Sequence, residues 1–348
     1  MSTMKSLQWC SLVALLSVCS IVSLAYAQGI STNELFNNQN NEVPTFSGDA
    51  GHQPQRGLKF LVQDPQTILE YHNGPILTQQ NTPVYVIWYG AFTEDLKNTI
   101  RDFFASFNYS VAGTPTVSSW WNLTSGYKDG SGRAVSQHIN LAAELDDSSY
   151  SLGKDLNDSD VELLVLKAIN STFPADSQSV YVVMTSANVN VGDFCMNSCA
   201  AHSATSPVTT PGGKQLPYAW VADSEIQCPG KCSWPFAKAE YGPDTPALVP
   251  PNADVGTDGM VINLAAILAG CLTNPFDNGF YQGDAAAPLE AATACAGMFG
   301  QDSYSGNPGV LQTDKISGAS YNTEGVNSRR FLLPALWEAS SRTCTPPS

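Results

Sequence analysis

The chain has 348 residues, 43% of them hydrophobic and 10% aromatic, with only 14% charged against roughly 25% in an average soluble domain. That is enough apolar material for a real core, which excludes a small disulfide-only scaffold and a disordered polymer. Lys and Arg number 16 and Asp and Glu 31, so the formal charge is −15, a field that repels phosphate backbones and anionic headgroups and argues against nucleic acid as a partner.

Lys5, the apolar run from Leu12 to Leu24 and the small-x-small triplet Ala25-Tyr26-Ala27 have the form of a secretory signal, which predicts a leader over 1–27 and a mature chain from Gln28. The run is too short to span a bilayer, and no membrane span is expected elsewhere. Loss of Lys5 with the leader brings the formal charge to −16. Residues 28–57, rich in Asn, Gln, Gly, Pro and Thr, predict a flexible arm without a core, and the folded domain is expected over 58–348.

Pro83 to Tyr89 is a continuous β-branched and aromatic run, the pattern of a strand buried on both faces. After Gly90, Thr93-Glu94 opens a helix in which Leu96, Ile100, Phe103, Phe104 and Phe107 recur every three to four residues. A helical segment carries Trp120 and Trp121, and Ser136 to Leu145 predicts a strand. Asp158-Ser159-Asp160 reads as the cap of a helix over Val161 to Asn170, with strands at Ser179 to Thr185 and Pro217 to Val221. The cysteine-bearing segment from Phe194 to Phe236 predicts mostly loop and hairpin. Pro243 to Asn252 reads as a crossing loop, with a linker as the alternative. Asp258 is then expected to cap a helix from Gly259 to Leu272 that is apolar all round and therefore buried all round, stopped by Thr273-Asn274-Pro275. No repeat of 20 to 50 residues is present. Together these elements predict one α/β or α+β domain, a mixed sheet packed by helices.

With the leader removed, seven cysteines remain: Cys195, Cys199, Cys228, Cys232, Cys271, Cys295 and Cys344. In an oxidising compartment they read as a disulfide framework, and the two Cys-x3-Cys spacings favour two disulfides over a zinc site. Cys271 lies in the most apolar stretch and is expected to be the free thiol, with Cys295 and Cys344 as the third bridge. Six bridged cysteines allow 15 pairings, and the connectivity stays open. Asn-x-Ser/Thr sequons at Asn108, Asn122, Asn157 and Asn170 predict surface N-glycans.

Of the four histidines, His52 lies in the arm, and His72, His138 and His202 show no short metal spacing, so structural or surface roles are favoured over a metal site. His202 near Cys199 would suggest a nucleophile pair only if that cysteine were unbridged. No Gly-x-Ser-x-Gly elbow is present. Asp277, Asp284 and Glu290 are the carboxylates to inspect for glycoside hydrolysis, against the simpler reading of a solvated acidic loop. Adjacent Trp120 and Trp121 invite carbohydrate stacking, against core packing as the favoured reading.

The runs Tyr71-His72-Asn73-Gly74-Pro75, Ile87-Trp88-Tyr89-Gly90, Gln227-Cys228-Pro229-Gly230, Trp234-Pro235-Phe236, Asp258 to Ala265 and Thr273-Asn274-Pro275-Phe276, with Phe194-Cys195-Met196 and Cys199, resemble the plant EXORDIUM, or phosphate-induced protein, family from roughly Leu58 to Cys344. The resemblance implies a secreted apoplastic protein associated with brassinosteroid-dependent growth and cell expansion, with an unknown cell-wall or cell-surface partner and no assigned activity. A fainter likeness is to zincin-like metallopeptidases. Anchored on Thr273 and Pro275, it puts Ala266 at the first zinc-binding His, Ile267 at the general-base Glu and Gly270 at the second ligand, while Glu290 and Cys295 match downstream. A methyl group and a hydrogen cannot bind a cation, so this likeness implies a zincin-like scaffold without zinc or any other cofactor. The expectation is a non-enzymatic protein, with a cell-wall hydrolase or a wall-glycan-binding protein as alternatives.

Overall fold

A computed structural model describes residues 67–241 and 245–348. The predicted leader, the arm, the domain start near Leu58, His52 and Pro243 lie outside the described residues. Five strands form the central sheet: β1 Thr82–Tyr89, β2 Ile139–Asp147, β3 Val180–Thr185, β4 Ala200–Ala204 and β5 Pro217–Ala222. Their order is β2-β1-β3-β5-β4. The first four in that order run parallel, and β4 is antiparallel along the edge, with His202 opposite Ala219. The hairpin expected within 194–236 is formed by β4 and β5, which pair antiparallel, although the short, half-exposed Ala-Ala-His-Ser-Ala run of β4 lacks β-branched residues and carries no strand signal of its own.

Alternation along the strands sends two sets of side chains to two covered faces. Val84, Val86 and Trp88 of β1, with Val180, Val182 and Met184 of β3, meet helix α1 Glu94–Ala105 and helix α3 Val255–Thr273. Ile87 and Tyr89 of β1, with Tyr181 and Val183 of β3, meet helix α2 Asp158–Ser171 and the bridged cysteine loops. Parallel strands covered on both faces read as unbroken apolar runs, as Pro83 to Tyr89 does.

Helix α1 starts where Thr93 accepts a hydrogen bond from the Leu96 N–H at 3.2 Å, and it buries Leu96, Ile100, Phe103 and Phe104 on one face. The buried Lys97 ion-pairs with Asp146, and Arg101 Nε donates to Glu144 at 2.8 Å, which fastens α1 to β2. For α2 the cap is Asn157, not the Asp158 to Asp160 run. Its side chain accepts from the Asp160 N–H at 3.1 Å while Asp160 accepts from the Asn157 N–H at 2.9 Å, a reciprocal capping box.

Helix α3 likewise begins a turn earlier than Asp258 suggests. Asp254 is the cap, accepting from the Thr257 N–H at 2.6 Å. Asp258 is instead buried inside the first turn, where it accepts from the Asn252 N–H and side-chain amide at 2.8 and 2.6 Å. Burial pushes its carboxyl up to about 7 against the pull of those bonds. Among the described residues α3 is the one helix long and apolar enough to cross a membrane, and 83% of that stretch is buried inside the protein. It serves as the core of the first sheet face.

Trp120 and Trp121 are both core residues. They are fully enclosed, and their indole N–H groups donate to Pro334 and Ser136 carbonyls at 2.8 and 2.9 Å. Core packing, the favoured reading of this pair, therefore holds, and exposed carbohydrate stacking on it does not.

Truncation of Leu264, fully buried on α3, to Ala is expected to cost about 2–5 kcal/mol, read as a lowered urea midpoint at unchanged slope. A loss below about 1 kcal/mol would show that α3 is not packed as described.

Candidate functional site

The C-terminal end of α3, the edge strand β4 and the loop after α3 meet at one buried cluster. Gly270 faces the sheet edge. A Cβ there would lie 2.6 Å from Glu290 Oε2 and 2.8 Å from His202 Nε2, so the two side chains occupy space that only a glycine leaves open. His202 Nε2 stands 2.9 and 3.0 Å from the two Glu290 oxygens, and both side chains are 6% exposed. Asn274, the residue that ends α3, donates through its amide to Glu290 Oε1 at 2.7 Å and accepts from the Gly279 N–H at 2.7 Å. The Glu290 N–H in turn donates to Thr293 Oγ1 at 2.7 Å.

Burial alone would push the His202 imidazole toward its neutral form. The charge and hydrogen bond of Glu290, with Asp277 adding to them, outweigh that and hold its pKa above the ordinary value. The imidazole is thus held toward its charged form beside Glu290 in a dry setting. His202 Nδ1 is buried with no hydrogen-bond partner among the described residues. A His–carboxylate dyad can move protons only if one partner reaches a substrate. Here Nε2 is committed to Glu290 and both groups are enclosed, so the arrangement acts as a clamp between helix and edge strand.

The positions marked by the zincin-like motif are brought together only in part. Gly270 and Glu290 are adjacent, Ala266 is half-buried beside the apolar core, and Ile267 is buried in it. Zinc in a catalytic site needs about three protein ligands, and Ala266, Ile267 and Gly270 supply none. Among the described residues no group of three or more His, Cys, Asp or Glu converges to hold a metal ion.

By sequence His202 reads as a structural or surface histidine, and its partner Glu290 lies 88 residues away. No local signal joins them. The nearest hint is Gly270 itself, a glycine inside an apolar helix, where another group can come close. His72 stacks on Tyr281 with centroids 3.8 Å apart, and His138 Nδ1 pairs with Asn108 Oδ1 at 3.2 Å, so the three histidines do not meet. Asp277 is exposed near the cluster, whereas Asp284 caps an exposed turn through the Ala286 N–H and takes no part.

The cysteines pair as Cys195–Cys228, Cys199–Cys232 and Cys295–Cys344. The two Cys-x3-Cys segments are thus laced to each other in parallel rather than closed on themselves, and Cys199 is no nucleophile for His202. Cys271 is a free, buried thiol whose pKa is raised by burial and then by Glu290, so it is held as an unreactive thiol. Asn108, Asn122, Asn157 and Asn170 are all exposed.

Replacing His202 with Ala would leave the Glu290 carboxylate buried without a counter-charge and is expected to cost about 3–5 kcal/mol at pH 6. Because the folded imidazole pKa lies above the unfolded value of 6.5, the contribution is complete below that value and fades as pH rises through the folded one. The stability gap between wild type and His202→Ala, measured by urea unfolding, should therefore shrink from pH 6 to pH 10. A gap that is constant or widens would show that the imidazole is not charged in the folded state.

The conserved region of phosphate-induced protein 1 matches residues 69–347. Protein EXORDIUM-like 2 of Arabidopsis thaliana is 43% identical over 82% of this chain and 91% of its own. Protein PHOSPHATE-INDUCED 1 of Nicotiana tabacum is 42% identical over 83% and 92%, and Protein EXORDIUM of Arabidopsis thaliana 41% identical over 80% and 88%. No solved structure matches the chain. The match thus runs through the whole sheet, helix α3 with its Gly270–His202–Glu290 clamp, and all three disulfides, and the chain belongs to the phosphate-induced protein 1 family, with the EXORDIUM proteins among its relatives.

Proposed function

We propose that the protein is secreted to the apoplast and acts in brassinosteroid-dependent growth and cell expansion without catalysing a reaction, by engaging a cell-wall or cell-surface partner. Family membership supports the growth role. Three disulfides, together with the secretory form of residues 1–27, support an oxidising extracellular destination. The exposure of Asn108, Asn122, Asn157 and Asn170 supports N-glycans on the folded surface.

One observation carries the non-enzymatic reading. On the helix where a zincin-like peptidase would hold its metal and base stand Ala266, Ile267 and Gly270, and the remaining carboxylate, Glu290, is spent on His202. Of the carboxylates that the sequence singles out for glycoside hydrolysis, Asp284 lies in an exposed turn and Glu290 is sealed in its clamp, so these two form no catalytic pair. The glycan-binding alternative loses its two tryptophans to the core.

Expression in plant cells should place the protein in the medium, with a mobility shift on N-glycosidase treatment that disappears when all four sequon asparagines are changed to Gln. Elemental mass spectrometry of that material, after dialysis against a weak chelator, should find no stoichiometric zinc. Retention inside the cell would sink the secreted reading, and close to one zinc per chain the non-enzymatic one.

A further inference from the structure

Far from the His202–Glu290 clamp, a cavity of about 560 Å³ opens at the carboxyl ends of the parallel strands. Its walls come from Ala91 and Phe92 after β1, Ala187 after β3 and Asp223 after β5, together with the first turns of α1 and α3. The sheet order β2-β1-β3 makes this place a topological switch point. The chain leaves β1 toward β2 on one side and returns through α2 to β3 on the other, with α1 and α2 on opposite faces. Open α/β sheets take ligands in the crevice that such a reversal creates.

The lining has an unbalanced charge. Asp95, Asp223, Glu225 and Asp254 face it, and among the described residues Arg329 is its one cationic side chain. Arg329 is already engaged, with Nε donating to Asp102 at 2.9 Å and Nη1 to Asn252 at 3.2 Å. Asp95 and Asp254 sit at the N-terminal ends of α1 and α3, where the helix dipole offsets their charge. Asp223 and Glu225 belong to no helix.

Asp223 is the decisive residue, since it is only 7% exposed. One of its oxygens accepts from the Glu225 N–H at 3.0 Å, and the other has no hydrogen-bond partner among the described residues. Burial first, then repulsion from Glu225 and Asp254, raises its carboxyl to about 6 despite that N–H bond. That second oxygen is not among the enclosed unpartnered atoms, so it opens on the cavity, where a cation can reach it.

The carboxylates do not gather three around one point, so they do not suit a single metal ion. Phe92 and Leu96 add apolar side chains to the same lining. We propose that this cavity binds an aliphatic polyamine, its ammonium groups paired with Asp223 and Glu225 and its methylene chain lying on Phe92 and Leu96. This goes beyond the growth role proposed above and stands or falls separately from it.

The test is titration calorimetry of spermidine into the full secreted chain at low ionic strength. One site per chain is expected, weakened several-fold on going from about 10 mM to about 150 mM salt. Asp223→Asn, nearly isosteric, should weaken it by about tenfold or more, and the exposed Glu225→Gln by a smaller factor, while Asp284→Asn leaves it unchanged. No binding at millimolar spermidine would overturn the proposal. Equal affinity in the Asp223 and Glu225 variants would do so as well, as would displacement of spermidine by an equal concentration of calcium.

Discussion

A 19-residue helix with almost no polar side chain has to be enclosed on every side, and the rest of this fold is arranged around that demand. One side of α3 lies on the sheet through β4 and β5, another against α1, and the segment from Ala291 to Trp337 closes over it. A helix buried this deeply brings its own ends inside as well. Helix ends carry unpaired backbone groups and any polar residues nearby, and these need partners where water is scarce. The electrostatically distinctive places in the protein are accordingly the two ends of α3.

At the N-terminal end, Asp254 caps the first turn and Asp258 is held by Asn252, both beside the acidic cavity at the strand ends. At the C-terminal end, Asn274 satisfies the loop that follows and hands Glu290 to His202. The two ends differ in how their charges are met. Glu290 has a cation and an amide against it, so that end is closed and self-sufficient. Asp223 has one N–H and like charges for neighbours, so that end is short of positive charge. A clamp is stable alone, whereas an uncompensated acidic pocket asks for a ligand.

The disulfides reinforce the same arrangement. Cys195–Cys228 and Cys199–Cys232 fix the long loops on the second face of the sheet, flanking β4, and Cys295–Cys344 ties the turn after Glu290 to the chain end. A half-exposed edge strand of Ala, His and Ser has little packing of its own to hold it. Two bridges on one side and the His202 clamp on the other keep it in register. Many of the charged groups in this scaffold are paired with one another, His202 with Glu290, Lys97 with Asp146 and Arg329 with Asp102.

Sequence alone determined the elements whose signal is local. The buried strands at 83–89 and 179–185, the amphipathic α1 and the all-round apolar α3 are written in periodicity and composition, because burial on one face or on all faces leaves a mark every two or every three to four residues. Family motifs spread along the chain were legible for the same reason, each being a short contiguous string. What the tertiary structure decided were relations between distant residues. Cap positions shifted by up to a turn, from Asp258 to Asp254 and from Asp158 to Asn157, because several acids in a row compete and only the backbone path selects one. The strand at 200–204 exists because β5 and the disulfides hold it, not because its residues favour it. The pairing of His202 with Glu290, the lacing of Cys195 to Cys228, and the meeting of Asp223 with the ends of β1 and β3 all depend on chain crossings. Hydrophobic periodicity specifies which face of a segment is buried; only the packed chain specifies what that face, and the polar groups carried in with it, will touch.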